Sequence, residues 1–177
     1  MLTITAIRIS DHVEVISQML EELHLSEKSF FLKTASWSSI AGNYMQHVIE
    51  MQETCNGTCL LARVDDTPIG FIFAYVEEPD ESRIEDYTGD TLYVSDGYVL
   101  KEFRRQGIYR QMNDALEKIY IEKGIRRIVR YTLSNNYRMQ EFLASEGYEA
   151  VRWVYEKWLT EDGKQPQQLF PETGKLS

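Results

Sequence analysis

The segment Val99–Met112, "VLKEFRRQGIYRQM", joins an apolar run typical of a strand to a run with the apolar spacing of a helix. Arg104, Arg105 and Gly107 stand at the junction. A helix N-terminus attracts anions, because its first N–H groups point out of the helix and carry partial positive charge. A glycine there lets the backbone approach an anion without a Cβ in the way. The segment therefore indicates an anion site, and a solvated loop with surface salt bridges is the alternative.

The overall charge makes this local cluster stand out. The 177 residues carry 19 Lys and Arg against 28 Asp and Glu, a net charge of −9, which argues against a nucleic-acid partner because phosphates would be repelled. No apolar run approaches the ~20 residues that span a bilayer. The N-terminus has no pattern of a secretory signal, so we expect a cytoplasmic protein without a membrane partner. Cys55 and Cys59 are the only cysteines, and with no further Cys/His cluster we expect no metal site.

The hydrophobic pattern predicts one α+β, or mixed α/β, domain over residues 1–160 and a polar tail over 161–177. Its element order is strand, two helices, three strands, helix, strand, helix and strand, around a largely antiparallel sheet. The second helix is predicted from about Ser36 to Glu53, and the last strand is "YEAVRWVYEKWL", residues 148–159. The strand–helix–strand unit from Thr91 to Leu133 is predicted as a parallel crossover. Ligands favour the carboxyl ends of such strands, where the opening segment lies.

The residues "YVLKEFRRQGIY" resemble the signature of the GNAT superfamily of N-acetyltransferases, Arg/Gln-x-x-Gly-x-Gly/Ala after a strand end. Arg104 and Gly107 match its first two fixed positions, and Val99 and Phe103 match the strand residue and the aromatic residue before the arginine. Tyr109 stands where the family has Gly or Ala, which is a departure.

Two further segments share the resemblance, which covers Thr3 to Leu159. "LARVDDTPIGFIF" resembles the family's hairpin, with Gly70 in its usual place, and "NNYRMQEFLASEGYEA" resembles its C-terminal segment. Registering that segment on Gly147 places Asn136 at the family's asparagine and Leu143 where many members carry a tyrosine.

The resemblance implies a GNAT-like fold: a mostly antiparallel sheet of six to seven strands with splayed parallel strands, flanked by about four helices. It implies acetyl-CoA, or another acyl-CoA, as co-substrate, with the pyrophosphate on backbone N–H groups of about residues 105–109. The pantetheine arm would pair with the backbone of residues 98–100, beside the splay. The residues implied for the coenzyme are Tyr98, Val99, Leu100, Arg104, Arg105, Gln106, Gly107, Ile108, Tyr109, Arg110 and Asn136.

Asp96 is the candidate general base, because many relatives place an acidic residue near this position. An amine with a pKa of ~10.4 is mostly protonated at neutral pH and must lose a proton before it attacks an acyl carbon. A turn or bulge carboxylate bound to the backbone is the alternative, and the facing of Asp96 depends on whether Gly97 marks a bulge. No general acid is assigned, since Leu143 cannot donate a proton. Tyr98, Tyr109 and Tyr137 are the possible substitutes, but packing or ligand contact suits each of them better.

The acceptor is expected to be the primary amine of a small cationic molecule. Residues 77–90 hold seven acids and one arginine, and an acidic rim would concentrate cations, although a solvated loop is the alternative. An acetyltransferase for protein lysines or N-termini and a non-catalytic acyl-CoA-binding module are the competing hypotheses. A homodimer is expected from the family resemblance.

Overall fold

The computed structural model describes residues 1–31, 33–79, 86–87, 89–157 and 159. It forms two compact units, Met1–Asn135 and Asn136–Ser177. Within the described residues no helix combines the length and apolar character that a membrane crossing requires. The predicted tail over 161–177 and half of the acidic segment over 77–90, namely residues 80–85 and 88, lie outside the described residues.

Within the described residues the first unit contains five strands and three α-helices, and the predicted mixed fold is confirmed. The strands are β1 (Leu2–Ile7), β2 (Thr58–Val64), β3 (Thr67–Glu77), β4 (Thr91–Val99) and β5 (Arg127–Val129). The helices are α1 (Val13–Lys28), α2 (Trp37–Thr54) and α3 (Ile108–Glu122). The second unit holds α4 (Tyr137–Ser145).

The sheet has the strand order β1-β2-β3-β4-β5. The first four strands are antiparallel neighbours, and β5 pairs with β4 in parallel after the α3 crossover, as predicted. Asp65 and Asp66 form the two-residue turn between β2 and β3, both with positive φ (46° and 66°). Such a turn matches the strand twist, and aspartate is among the few residues that adopt this conformation readily.

Apolar residues on both faces of the sheet explain why helices pack against each face. Phe71 and Phe73 of β3 pack with α1 and α2 in one core cluster, whereas Ile72 and Ala74 of the same strand pack with α3 in the other. Alternation along a strand sends successive side chains to opposite faces, so each face has its own core. We call these the α1/α2 face and the α3 face.

The strand predicted over residues 148–159 is absent from the described part of that segment. Residues 148–157 adopt no regular structure, and Val154 and Tyr155 are about nine-tenths exposed, at 91% and 90%. The sheet therefore has five strands within the described residues, fewer than the six or seven predicted. Alternation of apolar residues is local, whereas a strand also requires a hydrogen-bonding neighbour that the local pattern cannot supply.

Candidate functional site

The turn after β4 combines two residues in left-handed backbone conformation. Gly107 has φ 73° and precedes the first residue of α3, and Arg105 has φ 62°. The first helical hydrogen bond runs from the Gln111 N–H to the Gly107 carbonyl, 3.0 Å long. The N–H groups of the first turn of α3 therefore point towards the turn, as they do at every helix N-terminus. The side chains of Arg105 and Arg110 are exposed beside it.

Arg104 is directed back towards the strand. Its Nε donates a 2.8 Å hydrogen bond to the Val99 carbonyl, and its guanidinium carbon lies 4.9 Å from the centroid of the Tyr98 ring. A guanidinium at this distance is attracted by the face of an aromatic ring. Arg104 thus shapes the turn in addition to contributing positive charge.

A gap opens between β4 and β5 on the other side of this turn. The two strands pair over three positions, of which the last joins Tyr93 to Val129. Beyond Tyr93, β4 continues to Val99 paired with β3 alone. The splay implied by the resemblance is therefore present, and its β4 edge carries the predicted backbone positions 98 and 99.

A β-bulge in β4 decides where Asp96 points. Asp96 pairs with Phe73 and Val94 pairs with Ala74, so Ser95 is the extra residue. Val94 lies in the core of the α3 face, whereas Tyr98 lies in the core of the α1/α2 face, which shows that the alternation is reversed across the bulge. Asp96 consequently shares the α1/α2 face with Tyr98. The bulge lies at Ser95, one residue from Asp96 and not at Gly97, where the sequence suggested it.

Asp96 is a buried carboxylate with two hydroxyl donors. It is 6% exposed, and it accepts hydrogen bonds from the Tyr44 hydroxyl at 2.7 Å and from Ser95 Oγ at 2.6 Å. Burial raises its pKa, because the charged form loses its hydration, and the two hydrogen bonds and His47 oppose this effect. A carboxylate with a raised pKa is a stronger base than an exposed aspartate, so this environment suits proton abstraction.

A row of tyrosines continues from Asp96 across the α1/α2 face. The rings of Tyr75 and Tyr93 are 5.3 Å apart, and those of Tyr93 and Tyr131 are 5.4 Å apart. Tyr131 is 69% exposed, and the other two rings are half-buried. Burial and the charge of Asp96 are among the causes that raise the pKa of Tyr93, so its phenol stays protonated at neutral pH. These rings border the gap at the point where β4 and β5 part.

The α3 face of the gap is closed by Tyr109. A Cβ built on Gly97 would lie 2.7 Å from Tyr109 Cε2 and 2.8 Å from its hydroxyl oxygen. Such distances are far shorter than any real Cβ contact, so the tyrosine ring lies directly against the β4 backbone. The large residue at position 109 is therefore accommodated by the absence of a side chain at position 97.

The structure places the predicted residues in three groups. Residues 98–110 surround the turn and the end of β4, and Asp96 lies on the same strand as residues 98 and 99. Asn136 lies in the second unit, where its side chain accepts a 3.2 Å hydrogen bond from the Met139 N–H and caps α4. Its role in binding a coenzyme stays a prediction.

Sequence reasoning missed four residues of this site: Tyr44, Gly97 as a contact of Tyr109, Asn113 and Arg130. Tyr44 falls within the helix predicted from about Ser36 to Glu53, and Arg130 falls within the unit predicted from Thr91 to Leu133. Neither was named as a site residue. One signal for the contact between Gly97 and Tyr109 was present in the sequence. Tyr109 is bulky where the family signature has Gly or Ala, so a neighbouring residue must be small, and Gly97 is that residue. Among the described residues no group of His, Cys, Asp and Glu is arranged to hold a metal ion.

Comparison with known proteins shows the family and the fold of this chain. The model of the acetyltransferase (GNAT) family matches residues 18–148, whereas no curated protein matches the chain. A GCN5-related N-acetyltransferase from Ralstonia eutropha JMP134 superposes with a TM-score of 0.73 at 14% identity, covering 88% of this chain and 97% of the other. A possible acetyltransferase from Clostridium difficile 630 gives 0.66 at 20% identity, covering 90% and 99%.

A third similar structure is the aminoglycoside N-acetyltransferase AAC(6')-Iy, solved with a bisubstrate analogue of CoA and monomethyl-acetylneamine. It gives a TM-score of 0.64 at 17% identity and covers 90% of this chain and 99% of its own. At these identities the three structures establish the shared fold, and the family model establishes the relationship over most of the chain. The chain belongs to the GNAT family of acetyltransferases.

Proposed function

We propose that this protein transfers the acetyl group of acetyl-CoA to the primary amine of a small cationic molecule. The observation that carries the proposal is the arrangement along β4, with the left-handed turn and helix N-terminus at one end of the gap and a buried carboxylate, Asp96, on its wall. The first suits a pyrophosphate, and the second suits an amine that must lose a proton. Family membership supports this proposal, and so does the similar structure solved with a bisubstrate analogue that joins CoA to monomethyl-acetylneamine.

The residues present fit acetyl-CoA as co-substrate. The glycine at 107 leaves the turn open to close approach of phosphate oxygens, and Arg105 and Arg110 supply positive charge there. The β4 edge beyond Tyr93 has no β5 partner in the described residues. Its backbone groups therefore suit the amides of a pantetheine arm, since strand edges recruit extended ligands by main-chain hydrogen bonds.

The reaction then follows from the placement of the groups. Asp96 accepts a proton from the amine, directly or through a water molecule, as the amine nitrogen attacks the acyl carbon. Backbone N–H groups of β4 at the edge of the gap hold the acyl oxygen as negative charge develops on it. The C–S bond breaks, and CoA and the acetylated amine are released.

A small cationic acceptor is favoured by the charges around Asp96. Burial and the nearby charge of Asp96 raise the pKa of Glu27 on α1, and the Tyr98 hydroxyl contacts Glu22 of the same helix at 3.5 Å. Carboxylates on this face attract ammonium groups, and tyrosine faces stabilise cations that lie over them. The dimeric state and the cytoplasmic location stay predictions.

The test is calorimetry with acetyl-CoA, followed by thiol release across a panel of small amines, a lysine-containing peptide and a peptide with a free N-terminus. Turnover on small cationic amines with an acetylated product in the mass spectrum is the expected result. Turnover on the peptides alone would support a protein acetyltransferase. Binding without turnover on any amine would support a non-catalytic acyl-CoA-binding module, and absence of binding would overturn all three.

Arg105→Glu is expected to weaken acetyl-CoA binding by about 5- to 20-fold, because it replaces a cation beside the phosphates with an anion. Charges at this exposed position are screened by salt, so the loss should shrink as ionic strength rises towards 1 M, where the Debye length is about 3 Å. The measurement is the Kd from calorimetry at several salt concentrations.

Lys118→Glu is the matched control for Arg105→Glu. Lys118 is exposed on the same helix, three turns from the N-terminus, and its reversal makes the same change in net charge. We expect its Kd for acetyl-CoA to stay near that of the wild type. Equal weakening by both substitutions would show a general charge effect and would count against a phosphate site at the turn.

A further inference from the structure

A tyrosine and an arginine from different elements meet on the α3 face of the gap. Tyr109 belongs to the first turn of α3, and Arg130 follows the last residue of β5. Arg130 Nη1 donates a 3.0 Å hydrogen bond to the Tyr109 hydroxyl oxygen. The phenol therefore spans from the end of β5 to Gly97 on β4, across the opening between the strands.

Two further polar residues hold the arginine in place. Arg130 Nη2 donates to Asn113 Oδ1, and Asn113 Nδ2 donates to Glu117 Oε1 at 2.8 Å. Asn113 is fully buried, at 0% exposed, and a buried amide is normally kept only when it is hydrogen-bonded. Tyr109, Asn113 and Glu117 follow one another at intervals of four residues, so they share one face of α3. This face of α3 therefore holds the Arg130 guanidinium beside the phenol of Tyr109.

The phenol and the candidate base lie at the same level of β4 on opposite faces. Asp96 points to the α1/α2 face, and the next residue, Gly97, lies against Tyr109 on the α3 face. Burial is the main cause that raises the pKa of Tyr109, and the charge of Asp96 adds to it. If an amine attacks an acyl carbon in the gap from the side of Asp96, the thioester sulfur can lie on the opposite side, where the Tyr109 ring contacts Gly97.

We propose that the Tyr109 hydroxyl, oriented by Arg130, is a catalytic group that donates a hydrogen bond to the thioester sulfur as the C–S bond breaks. The proposal rests on the acetyl-CoA chemistry proposed above. The amine nitrogen forms the new C–N bond, and its proton passes to Asp96. The electron pair of the C–S bond leaves on sulfur, where the phenol stabilises it. The thiolate takes a proton from solvent after release, and Asp96 returns its proton to solvent.

The electrostatics of the phenol suit a donor that keeps its proton. Burial raises the pKa of Tyr109 and the Arg130 guanidinium opposes that rise, so the hydroxyl is protonated at neutral pH. A thiol has a pKa near ~8.5, which is lower than that of the phenol. The thiolate therefore needs a hydrogen bond more than a full proton transfer, and hydrogen bonds to a charged acceptor are the stronger ones.

Tyr109→Phe is expected to lower kcat by about 10- to 100-fold while the Kd for acetyl-CoA changes little, because the lost donor acts on charge that develops during the reaction. The matched control is Tyr120→Phe. Tyr120 is a buried tyrosine at the other end of α3, and its hydroxyl donates to the Asn56 carbonyl at 2.7 Å. Its substitution should lower stability and leave kcat near the wild-type value.

A second measurement follows the thiol of bound CoA directly. The ultraviolet absorbance of the thiolate is recorded against pH, with the complex of desulfo-CoA as the blank. In the wild type the thiol pKa should fall below ~8.5, and in Tyr109→Phe the fall should disappear in large part. Arg130→Gln should also make the lowering of the thiol pKa smaller, because the phenol loses its orienting cation.

The outcomes separate the two proposals. An unshifted thiol pKa in the wild-type complex overturns the role of Tyr109 without any variant, and so does a Tyr109→Phe protein with wild-type kcat. Absence of coenzyme binding by the wild type overturns the proposed function instead. A folded Tyr109→Phe protein with low kcat and an unshifted thiol pKa is the result that supports the inference.

Discussion

Asp96→Asn is expected to lower kcat for amine acetylation by about 10²–10⁴-fold, the usual contribution of a general base. The amide has nearly the same shape and can still bond with the hydroxyls of Tyr44 and Ser95, so the bulge and the coenzyme site should persist. The Kd for acetyl-CoA should therefore stay close to that of the wild type. The measurements are kcat from thiol release and Kd from calorimetry.

The pH profile distinguishes a base from a structural carboxylate. The raised pKa of Asp96 should appear as the acidic limb of kcat in the wild type, since activity requires the deprotonated form. That limb should vanish from the residual activity of Asp96→Asn. A variant that keeps the same limb, or that keeps wild-type kcat, would remove Asp96 from this role.

The same substitution should change stability in the opposite direction to activity. A carboxyl whose folded pKa is raised contributes stability below its unfolded pKa of ~3.9 and loses that contribution as pH rises through the folded pKa. Asp96→Asn removes this loss. The melting temperature of the variant should therefore exceed that of the wild type at pH 7, and the difference should shrink towards pH 4.

Tyr44→Phe provides a second test of the pH profile. It removes one of the two hydroxyl donors to Asp96, so the buried carboxylate becomes harder to ionise and its pKa should rise further. The acidic limb of kcat should then move to higher pH, without the complete loss expected for Asp96→Asn. A limb that does not move would show that another group titrates.

Gly97→Ala is expected to destabilise the protein by about 1–3 kcal/mol, the usual cost of forcing extra atoms into a packed site. The new Cβ would lie 2.7 Å from the Tyr109 ring, so the ring and the β4 backbone must separate. Tyr109→Ala in the same chain should remove that conflict. The double variant should thus be more stable than the sum of the single effects predicts, by about 1 kcal/mol or more.

Gly42→Ala is the control for this cycle. A Cβ at Gly42 would meet nothing within 4 Å, and the residue lies within α2. Alanine there should stabilise the protein by roughly 0.5–1 kcal/mol, because glycine is unfavourable in a helix. The free energies of unfolding are measured with denaturant for the wild type, the two single variants, the double variant and Gly42→Ala. Strictly additive effects of Gly97→Ala and Tyr109→Ala would contradict the contact.

Local pattern was sufficient for most of the elements. α2 was predicted from about Ser36 to Glu53 and spans Trp37–Thr54, because its apolar stripe repeats with the helical period over its whole length. A hairpin was also predicted, with residues 65–68 joining two apolar runs, since turn residues between such runs have few other conformations available. The structure narrows the turn to Asp65 and Asp66. The strand predicted over 148–159 is absent from the described part of that segment, because its pattern carried no information about a pairing strand.

The site depended more on tertiary structure. Glycine and arginine in the 104–107 segment could be assigned to a strand-to-helix turn from the sequence, since these properties belong to a few consecutive residues. The direction of the Arg104 side chain could not, because its Nε binds the carbonyl of Val99 and its guanidinium lies on a ring. A charge count does not reveal that an arginine also stabilises the turn.

By itself, the sequence determined the mixed fold and predicted a strand-to-helix turn at Gly107 that suits an anion, because both follow from residue type and local spacing, whereas the choice of Asp96 as candidate base came from the family resemblance. Only the tertiary structure decided which way Asp96 points and what closes the gap. The bulge at Ser95 reverses the alternation of β4, and it is defined by pairing with β3, which is distant in the chain. Tyr109, Arg130 and Gly97 come from three elements, and they meet because the α3 crossover brings β5 beside β4 and α3 against both.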